Sequence, residues 1–355
     1  MKIYELDEYK EDIAYIAGLD LPWEKLKNTS MLISGASGLI GSVLVDTVMY
    51  LNRTLGINCR VLALGRNEAK AKERFGEFLN DPNFSFISAD INKPLALENL
   101  GCVEYVLHLA SNTHPVAYAT DPIGTVTTNI IGAMNMLEFA AEHGARRVAF
   151  ASSNEIYGEN RGDTEKFDED YCGYINCNTM RAGYPESKRC GEALCQAYIR
   201  QKGLDVVIPR LTRSYGPSLL MTDTKALSQF IRKAIADEDI VLKSAGTQYY
   251  SYTYVADAVS GLLTVLLKGA CGEAYNIADE ASDIQLKDLA ALIAGTCGRK
   301  VVFELPDAVE AAGFSRATKA RLDSAKLQGL GWKAGYDIQA GIERTVRMLK
   351  TMAAE

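Results

Sequence analysis

From about residue 30 to residue 210 the chain alternates short apolar runs with longer amphipathic stretches. Helical stretches that include 121–143 and 184–203 separate strand-like runs at about 31–34, 59–65, 84–88, 104–109, 147–152 and 205–210. Strands that alternate with helices are typical of a parallel sheet with helices on both faces. The pattern therefore predicts an α/β fold built on a doubly wound parallel sheet.

The periodicity loosens after about residue 215, with helices predicted near 222–236, 285–297 and 338–353 and short strands near 274–277 and 300–303. A chain of 355 residues exceeds the usual size of one hydrophobic core. We therefore predict three parts: an N-terminal helical extension at 1–29, a large domain at 30–215 with a return segment at 254–268, and a smaller C-terminal α/β lobe made of 216–253 and 269–355.

A glycine-rich loop directly follows the first predicted strand and precedes an apolar-periodic helix that starts near Ser42. Glycines let a phosphate approach the backbone, and a helix N-terminus offers it free N–H groups and a positive dipole end. The spacing is Gly-x-x-Gly-x-x-Gly rather than the commoner Gly-x-Gly-x-x-Gly. We predict a dinucleotide site at Gly35, Ser37, Gly38, Leu39, Ile40 and Gly41, with a glycine turn that holds no ligand as the alternative.

Tyr184 and Lys188 are four residues apart, so on a helix they share a face. An ammonium beside a phenol favours the phenolate, whose unperturbed pKa of about 10 is otherwise too high for a base near neutral pH. An isolated pair of this kind is usually a surface aromatic beside a surface charge. Ser153 ends a predicted strand, where parallel sheets hold their ligands, although serines there are also ordinary turn residues. The three segments together predict an acid/base site.

These segments together resemble the extended short-chain dehydrogenase/reductases, the NAD-dependent epimerase/dehydratase family of nucleotide-sugar enzymes. The similarity is greatest to the UDP-glucuronate decarboxylases (UDP-xylose synthases), in phrases such as His108-Leu109-Ala110-Ser111, Thr128-Asn129-Ile130-Ile131-Gly132 and Tyr215-Gly216-Pro217. The resemblance implies a Rossmann domain and a C-terminal substrate lobe. It also implies that Tyr184 takes a proton from a sugar hydroxyl that Ser153 orients, that Lys188 also holds the nicotinamide ribose, and that Glu155 is an active-site carboxylate.

The remaining site predictions follow from the same resemblance. Cofactor contacts are expected from the ends of the second, third and fourth strands and from the following helix, at Arg66, Asn67, Asp90, Ile91, Leu109, Ala110, Ser111 and Asn129. Substrate contacts are expected at His114, Asn154, Arg213, Tyr250, Lys319 and Arg321. Their alternative roles are solvated charges or aromatics that pack between the lobes.

Some of these positions depart from the family pattern. Asn154 stands where the dehydratases carry an Asp that protonates the departing hydroxyl, and an amide has no such proton to give, so dehydration is disfavoured. Arg213 stands where the family has Asn, and Tyr250 and Lys319 each stand where the family has Arg. Arginine and lysine are not interchangeable at a bidentate anion site, so the phosphate-binding walls differ from those of the relatives.

The second strand ends in Gly65-Arg66-Asn67 and lacks the acidic residue that usually accepts hydrogen bonds from the adenine ribose of NAD. An arginine there could pair with a 2′-phosphate, stack on adenine or lie in solvent. NAD(P) is therefore the predicted cofactor, with a slight preference for NADP, although the decarboxylase-like relatives use NAD.

Composition limits the alternatives. A net charge of −7 disfavours a nucleic-acid partner, and no apolar stretch is long enough to span a membrane. The acidic N-terminus is unlike a signal peptide, so we expect a cytoplasmic protein. Three histidines and eight cysteines without a Cys-x-x-Cys pair predict reduced core thiols and no metal site. The resemblance implies a homodimer through 121–143 and 184–203, with Met134, Leu137, Ala193 and Tyr198 on the contact face unless they are core.

Three functional hypotheses remain. The first is NAD(P)-dependent modification of a nucleotide-activated sugar through a keto intermediate, by epimerisation or decarboxylation. The second is a net NADPH-dependent reductase or dehydrogenase of a phosphorylated or nucleotide-linked polyol or sugar. The third is a dinucleotide-binding protein without catalytic activity, which the presence of Ser153, Tyr184 and Lys188 disfavours.

Overall fold

A computed structural model describes residues 2–97, 100–113, 118, 120–219, 221, 223–304 and 318–354. Its largest element is a parallel sheet with the strand order β3-β2-β1-β4-β5-β7-β11, in which β6 also pairs with β7. These strands are β1 Ser30–Ser34, β2 Arg60–Gly65, β3 Phe84–Ser88, β4 Tyr105–His108, β5 Arg147–Phe150, β6 Ser152–Ser153, β7 Val206–Leu211 and β11 Ala274–Ile277. The predicted doubly wound α/β fold is confirmed.

Helices cover both faces of the sheet. Alternate residues of β1 serve the two sides: Met31 and Ile33 pack in one apolar cluster, and Leu32 packs in the other. The first face is covered by α2 Leu39–Leu55 and α7 Val255–Lys268, and α1 Asp7–Ala17 packs on these two helices. The second face is covered by α4 Pro122–Glu142 and α5 Gly183–Lys202, and the short helix α3 Glu68–Arg74 follows β2. Both faces of the central strand are therefore buried.

After β3 the chain crosses back to the other side of β1, where β4 is added to the sheet. The first three strands step outward from β1 on one side, and β4, β5 and β7 continue on the other. In an open α/β sheet the crevice beyond the carboxyl ends at such a point is where ligands bind. This topology places the end of β1 beside the end of β4, where Ser34 pairs with His108.

The C-terminal half adds smaller sheets beside the large one. Strands β8 Arg213–Tyr215, β12 Asp283–Gln285 and β14 Lys319–Ala320 pair with β10 Tyr249–Tyr254, and β9 Ile240–Leu242 pairs with β13 Val301–Phe303. The accompanying helices are α6 Ala226–Ile235, α8 Leu286–Gly295, α9 Ala325–Gln328 and α10 Ile338–Ala353. The predicted elements in this region occur within a few residues of their expected bounds.

The N-terminal helix α1 packs into the protein body and is tied to it by buried polar contacts. The Tyr254 hydroxyl donates to the Asp12 carboxylate, and Arg344 of α10 donates to the same carboxylate through Nε at 3.1 Å. The Tyr15 hydroxyl donates to Asp257 at 2.8 Å. Burial raises the pKa of Asp257 to about 6, whereas its hydrogen bonds act in the opposite direction. Helix α1 is thus bonded to β10, α7 and α10.

Two expectations from the sequence are wrong in detail. All eight cysteines are free, but four of them, Cys102, Cys172, Cys177 and Cys271, are exposed rather than in the core. Leu137, expected on a dimer face, is buried in the apolar cluster of the second sheet face. Among the described residues, no group of metal-ligating side chains is found, and no helix is long and apolar enough to cross a membrane.

Candidate active site

The glycine loop between β1 and α2 lies against the end of β4. Gly35 has a φ of 71°, and a Cβ there would lie 2.8 Å from the backbone nitrogen of Ala110. Helix α2 begins after Gly38 without a capping side chain, and within the described residues no acceptor is found for the N–H groups of Leu39, Ile40 and Gly41. An anion is the natural partner of such groups, so the loop fits the pyrophosphate of a dinucleotide.

A cavity of about 1190 Å³ begins at this loop and runs past the ends of β4 and β6 into the C-terminal half. Its volume is somewhat above the usual range of about 300–1000 Å³ for a single small-ligand pocket. Glycine-loop residues line one end of the cavity, and Arg213 of β8 and Tyr250 of β10 line the part that lies in the C-terminal half. The cavity is therefore large enough for two ligands placed end to end.

Ser153 and Tyr184 both line the middle of this cavity. Ser153 ends β6, and its hydroxyl accepts the backbone N–H of Glu155 at 3.2 Å. Tyr184 lies in the first turn of α5 and is buried. Burial raises the pKa of Tyr184, and the charge of Glu155 raises it further, whereas hydrogen bonds with Ser153 and Ser111 lower it. The two hydroxyls thus meet at the point where β6 and α5 converge.

Lys188 lies one turn further along α5 and is also buried. Its ammonium donates to the carbonyl of Ala151 at 2.8 Å, and burial lowers its pKa to about 8. The expectation that this ammonium brings the pKa of Tyr184 below its ordinary value is not met here, because the pKa of Tyr184 is raised. Burial disfavours the charged phenolate, and its effect on the pKa of Tyr184 outweighs the one expected from an ammonium one helical turn away.

Glu155 has a partner that the site prediction did not include. One guanidinium nitrogen of Arg181, Nη2, lies 2.8 Å from each oxygen of the Glu155 carboxylate. The Arg181 guanidinium also lies 4.7 Å from the ring centroid of Tyr118, whose ring is 5.1 Å from that of Tyr184. The signal available in the sequence was the position of Arg181, three residues before Tyr184.

The predicted substrate residues do not all reach the cavity. Asn154, Arg213 and Tyr250 line it, and the Arg213 guanidinium lies 3.6 Å from the centre of the Tyr250 ring. Lys319 is exposed on β14, outside the cavity lining. Arg321 forms an ion pair with Glu165 at 2.6 Å and stacks on the ring of Tyr249. His114 lies outside the described residues.

Two buried polar atoms without hydrogen-bond partners in the described structure belong to residues of the cavity lining near Tyr250. Arg213 Nη1 and Gln248 Oε1 are buried and have no hydrogen-bond partner in the described part of the chain, and both residues line the cavity. A buried polar atom without a partner costs free energy, so such atoms commonly meet a ligand or water. Gln248 directly precedes β10 and was not among the predicted site residues. The signal available in the sequence was its position two residues before Tyr250.

The predicted cofactor residues occupy different positions around the loop. Leu109 and Ser111 line the cavity, while Ala110 backs Gly35. Asn129 is buried and bridges two hydroxyls, accepting from Ser111 at 2.7 Å and donating to Ser187 at 2.9 Å. Asn129 thus braces the wall of the site instead of lining it.

The residues at the ends of β2 and β3 lie beside the cavity rather than in its lining. Arg66 is exposed, and Asn67 caps α3 by accepting the N–H of Lys70 at 2.9 Å. Asp90 accepts the N–H of Asn92 at 3.0 Å, and Ile91 is buried against Gly132.

Comparison with known proteins identifies relatives of this chain. The sequence model of the NAD dependent epimerase/dehydratase family matches residues 31–278. UDP-glucuronic acid decarboxylase 1 of Xenopus tropicalis is 31% identical over 322 residues, which cover 90% of this chain and 72% of that protein. UDP-glucuronic acid decarboxylase 3 of Arabidopsis thaliana is 32% identical over 318 residues, with 89% and 87% covered.

A solved structure agrees on the fold. The structure of UDP-glucuronic acid 4-epimerase from Bacillus cereus in complex with UDP-glucuronic acid and NAD superposes with a TM-score of 0.76 at 21% identity, covering 91% of this chain and 100% of that one. With the matched family sequence spanning the large sheet and the glycine loop, the chain belongs to the NAD dependent epimerase/dehydratase family and is an enzyme of its extended short-chain dehydrogenase/reductase type.

Proposed function

We propose that the protein modifies a nucleotide-activated sugar through a keto intermediate and completes either an epimerisation or a decarboxylation. The observation that carries this proposal is the single cavity that joins the glycine loop to Ser153 and Tyr184. The relatives named above act on UDP-glucuronic acid by their names, so a UDP-linked hexuronate is the first substrate to test.

The roles of the residues follow from their positions. The Tyr184 oxygen takes the proton of a sugar hydroxyl that the Ser153 hydroxyl orients. Lys188 holds the nicotinamide ribose through an ammonium already fixed on the carbonyl of Ala151. A nicotinamide held there would supply the acceptor, and later the donor, for a hydride of the sugar carbon. A ketone formed two carbons from a carboxylate then allows loss of CO2, and reduction from either face of the ring gives epimers.

Asn154 supports a choice among the outcomes. It lies in the cavity lining beside Ser153, and its amide cannot protonate a departing hydroxyl. Dehydration of the sugar would need such a proton. The proposal therefore retains epimerisation and decarboxylation and leaves dehydration out.

We assign the diphosphate of the sugar nucleotide to the wall formed by Arg213 and Tyr250. The Arg213 guanidinium is held flat on the Tyr250 ring, and its buried Nη1 has no partner among the described residues. A planar guanidinium held in this way is suited to pair with phosphate oxygens. Lys319 and Arg321, the other predicted anion contacts, are not needed for this assignment.

The cofactor preference rests on Arg66. The residue is exposed at the end of β2, and among the described residues it has no hydrogen-bond or ion-pair partner. Gly65 presents no side chain to repel a phosphate. We propose a slight preference for NADP, which would also favour the second hypothesis, a net reductase or dehydrogenase of a phosphorylated or nucleotide-linked polyol or sugar.

We also propose that two copies form a homodimer through α4 and α5. Three apolar side chains of α4 are exposed, Ile123, Ile131 and Met134, and the spacing of Ile131 and Met134 places them on one face. Ala193 of α5 is exposed as well. Apolar groups clustered on a helix pair are typical of an interface between subunits.

The experiment is a conversion assay on the purified enzyme. Small molecules released by denaturation are identified by mass spectrometry, and UDP-glucuronate, UDP-glucose and UDP-galactose are then each followed by NMR. Conversion of one of these sugars with no net change in nicotinamide absorbance supports the proposal. Stoichiometric turnover of added dinucleotide would favour the net oxidoreductase, and failure to convert any of these sugars would overturn the proposal.

A further inference from the structure

Glu155 reaches the active site as half of an ion pair. It lies on the short 3₁₀ turn Asn154–Tyr157 after β6, and Arg181 lies on the 3₁₀ turn Met180–Ala182 that leads into α5. Arg181 Nη2 is 2.8 Å from both carboxylate oxygens. The two turns enter the site from different parts of the chain, so the pair links the end of β6 to the start of the helix that carries Tyr184.

The other side of Arg181 faces the aromatic pair beside the reacting hydroxyl. Its guanidinium lies 4.7 Å from the ring centroid of Tyr118, and the rings of Tyr118 and Tyr184 are 5.1 Å apart. All four side chains line the same cavity. A cation stacked on one ring and bonded to a carboxylate has little freedom to move away from either.

The charges around the Tyr184 hydroxyl oppose one another. The Glu155 carboxylate raises the pKa of Tyr184, and the Arg181 guanidinium lowers it. The neutral groups that face the same hydroxyl, Ser153 and Ser111, lower it through hydrogen bonds. Lys188 on the same helix is bonded to a backbone carbonyl, and Asp223 acts on Tyr118. Arg181 is therefore the cation that offsets the Glu155 charge.

We propose that Arg181 is a positioning residue that fixes the Glu155 carboxylate in the active site and neutralises its charge beside the Tyr184 hydroxyl. The arrangement makes it possible to keep a carboxylate within the site while Tyr184 still works as the base. This inference rests on the function proposed above, because it gives Tyr184 the role of the base.

The test is a cycle of variants: Arg181→Gln, Glu155→Gln and the double variant. Arg181→Gln leaves the carboxylate uncompensated, so the acidic limb of the profile, at which the base Tyr184 ionises, should move up by about one pH unit. Glu155→Gln leaves the guanidinium alone, so the same limb should move down. The double variant should lie near the wild type, and Arg181→Lys should restore most of the wild-type profile.

Two readouts are measured for each variant. The first is the pH dependence of kcat for the sugar converted by the wild type. The second needs no substrate: NMR titration of the NAD-bound protein labelled with ¹³Cζ-tyrosine, where the Tyr184 signal is the one missing in Tyr184→Phe. Failure of the proposed function removes the first readout and leaves the second.

Arg161→Gln is the matched control, because Arg161 also stacks on a tyrosine, Tyr174 at 4.1 Å, but lies outside the cavity lining. It should leave both readouts unchanged. Titration curves of Tyr184 that superpose in the wild type and Arg181→Gln would overturn the proposal. So would a shift of the same size in Arg161→Gln.

Discussion

At the scale of single residues, Tyr184 and Lys188 should be separable by mutation. Tyr184→Phe removes the proton acceptor and should lower kcat by about 1000-fold, while cofactor affinity stays within about twofold. Lys188→Ala removes the ammonium that we propose holds the nicotinamide ribose, so both kcat and cofactor affinity should fall. Tyr198→Phe, on the same helix but bonded to Glu138, is the control. Turnover within a few-fold of wild type in Tyr184→Phe would contradict the assignment.

Arg66 gives a second prediction at this scale. Arg66→Ala should weaken binding of NADP by about tenfold and leave NAD nearly unchanged, because only NADP carries the 2′-phosphate with which a guanidinium pairs. Paired fluorescence titrations of both dinucleotides check it. Equal losses would mean that Arg66 stacks on adenine or braces the loop. A wild type that prefers NAD outright would argue against the NADP preference.

Motifs in the sequence located much of the cavity lining, but they could not predict the pKa values of its groups or the ion pairs that its residues form. The glycine loop, Ser153 and Tyr184 were each identified from short patterns, and the structure brings them to one cavity. The raised pKa of Tyr184 was missed because it depends on burial, which no spacing rule contains. Arg321 was expected at the substrate, but its partner Glu165 is 156 residues away, a distance no local pattern spans.

At the scale of elements, the bonds between α1 and α10 should contribute measurably to stability. The Arg344 side chain is 15% exposed and the Asp12 side chain 1%, so Arg344→Met leaves a buried carboxylate without its cation. Loss of one partner of a buried pair costs about 3 kcal/mol or more in the free energy of unfolding. Urea denaturation at fixed protein concentration measures it.

Arg347→Met is the matched control for that prediction. Arg347 pairs with Glu8 between the same two helices, but its side chain is 56% exposed, and exposed ion pairs contribute little. The control should unfold at nearly the wild-type urea concentration. Equal destabilisation by the two variants would mean that the contact between the helices, rather than the buried charge, carries the effect.

The alternation of strands and helices predicted six strands of the large sheet, β1 to β5 and β7, as apolar runs between amphipathic helices. The strand at 274–277 was expected in the C-terminal lobe, but as β11 it pairs with β7 at the edge of the large sheet. The strand order was beyond the reach of the pattern, because pairing such as that of β1 with β4 joins residues about 74 positions apart. The N-terminal helix was recognised, but its buried contacts were not. Those contacts are made with Tyr254 and Arg344, and nothing in the sequence of α1 indicates these distant partners.

At the scale of the whole molecule, the proposed homodimer can be tested directly. Light scattering at micromolar concentration should give the mass of two chains. Met134→Glu places a charge on the exposed apolar face of α4 and should give a monomer. Leu79→Glu changes an apolar residue that is similarly exposed, but lies outside α4 and α5, and should leave the dimer intact. A wild-type monomer would remove the claim.

The contacts of α1 also set the order in which the chain can fold during synthesis. Asp12 bonds to Arg344, which follows it by 332 positions, and Glu8 bonds to Arg347. At the rate of translation, on the order of tens of seconds pass between the emergence of α1 and that of α10 from the ribosome. Helix α2 can pack against α1 early, but during that time α1 lacks its contacts with α10. Helix α1 is thus complete only after α10 has been made, and chaperones can reach its unpaired side while the chain grows.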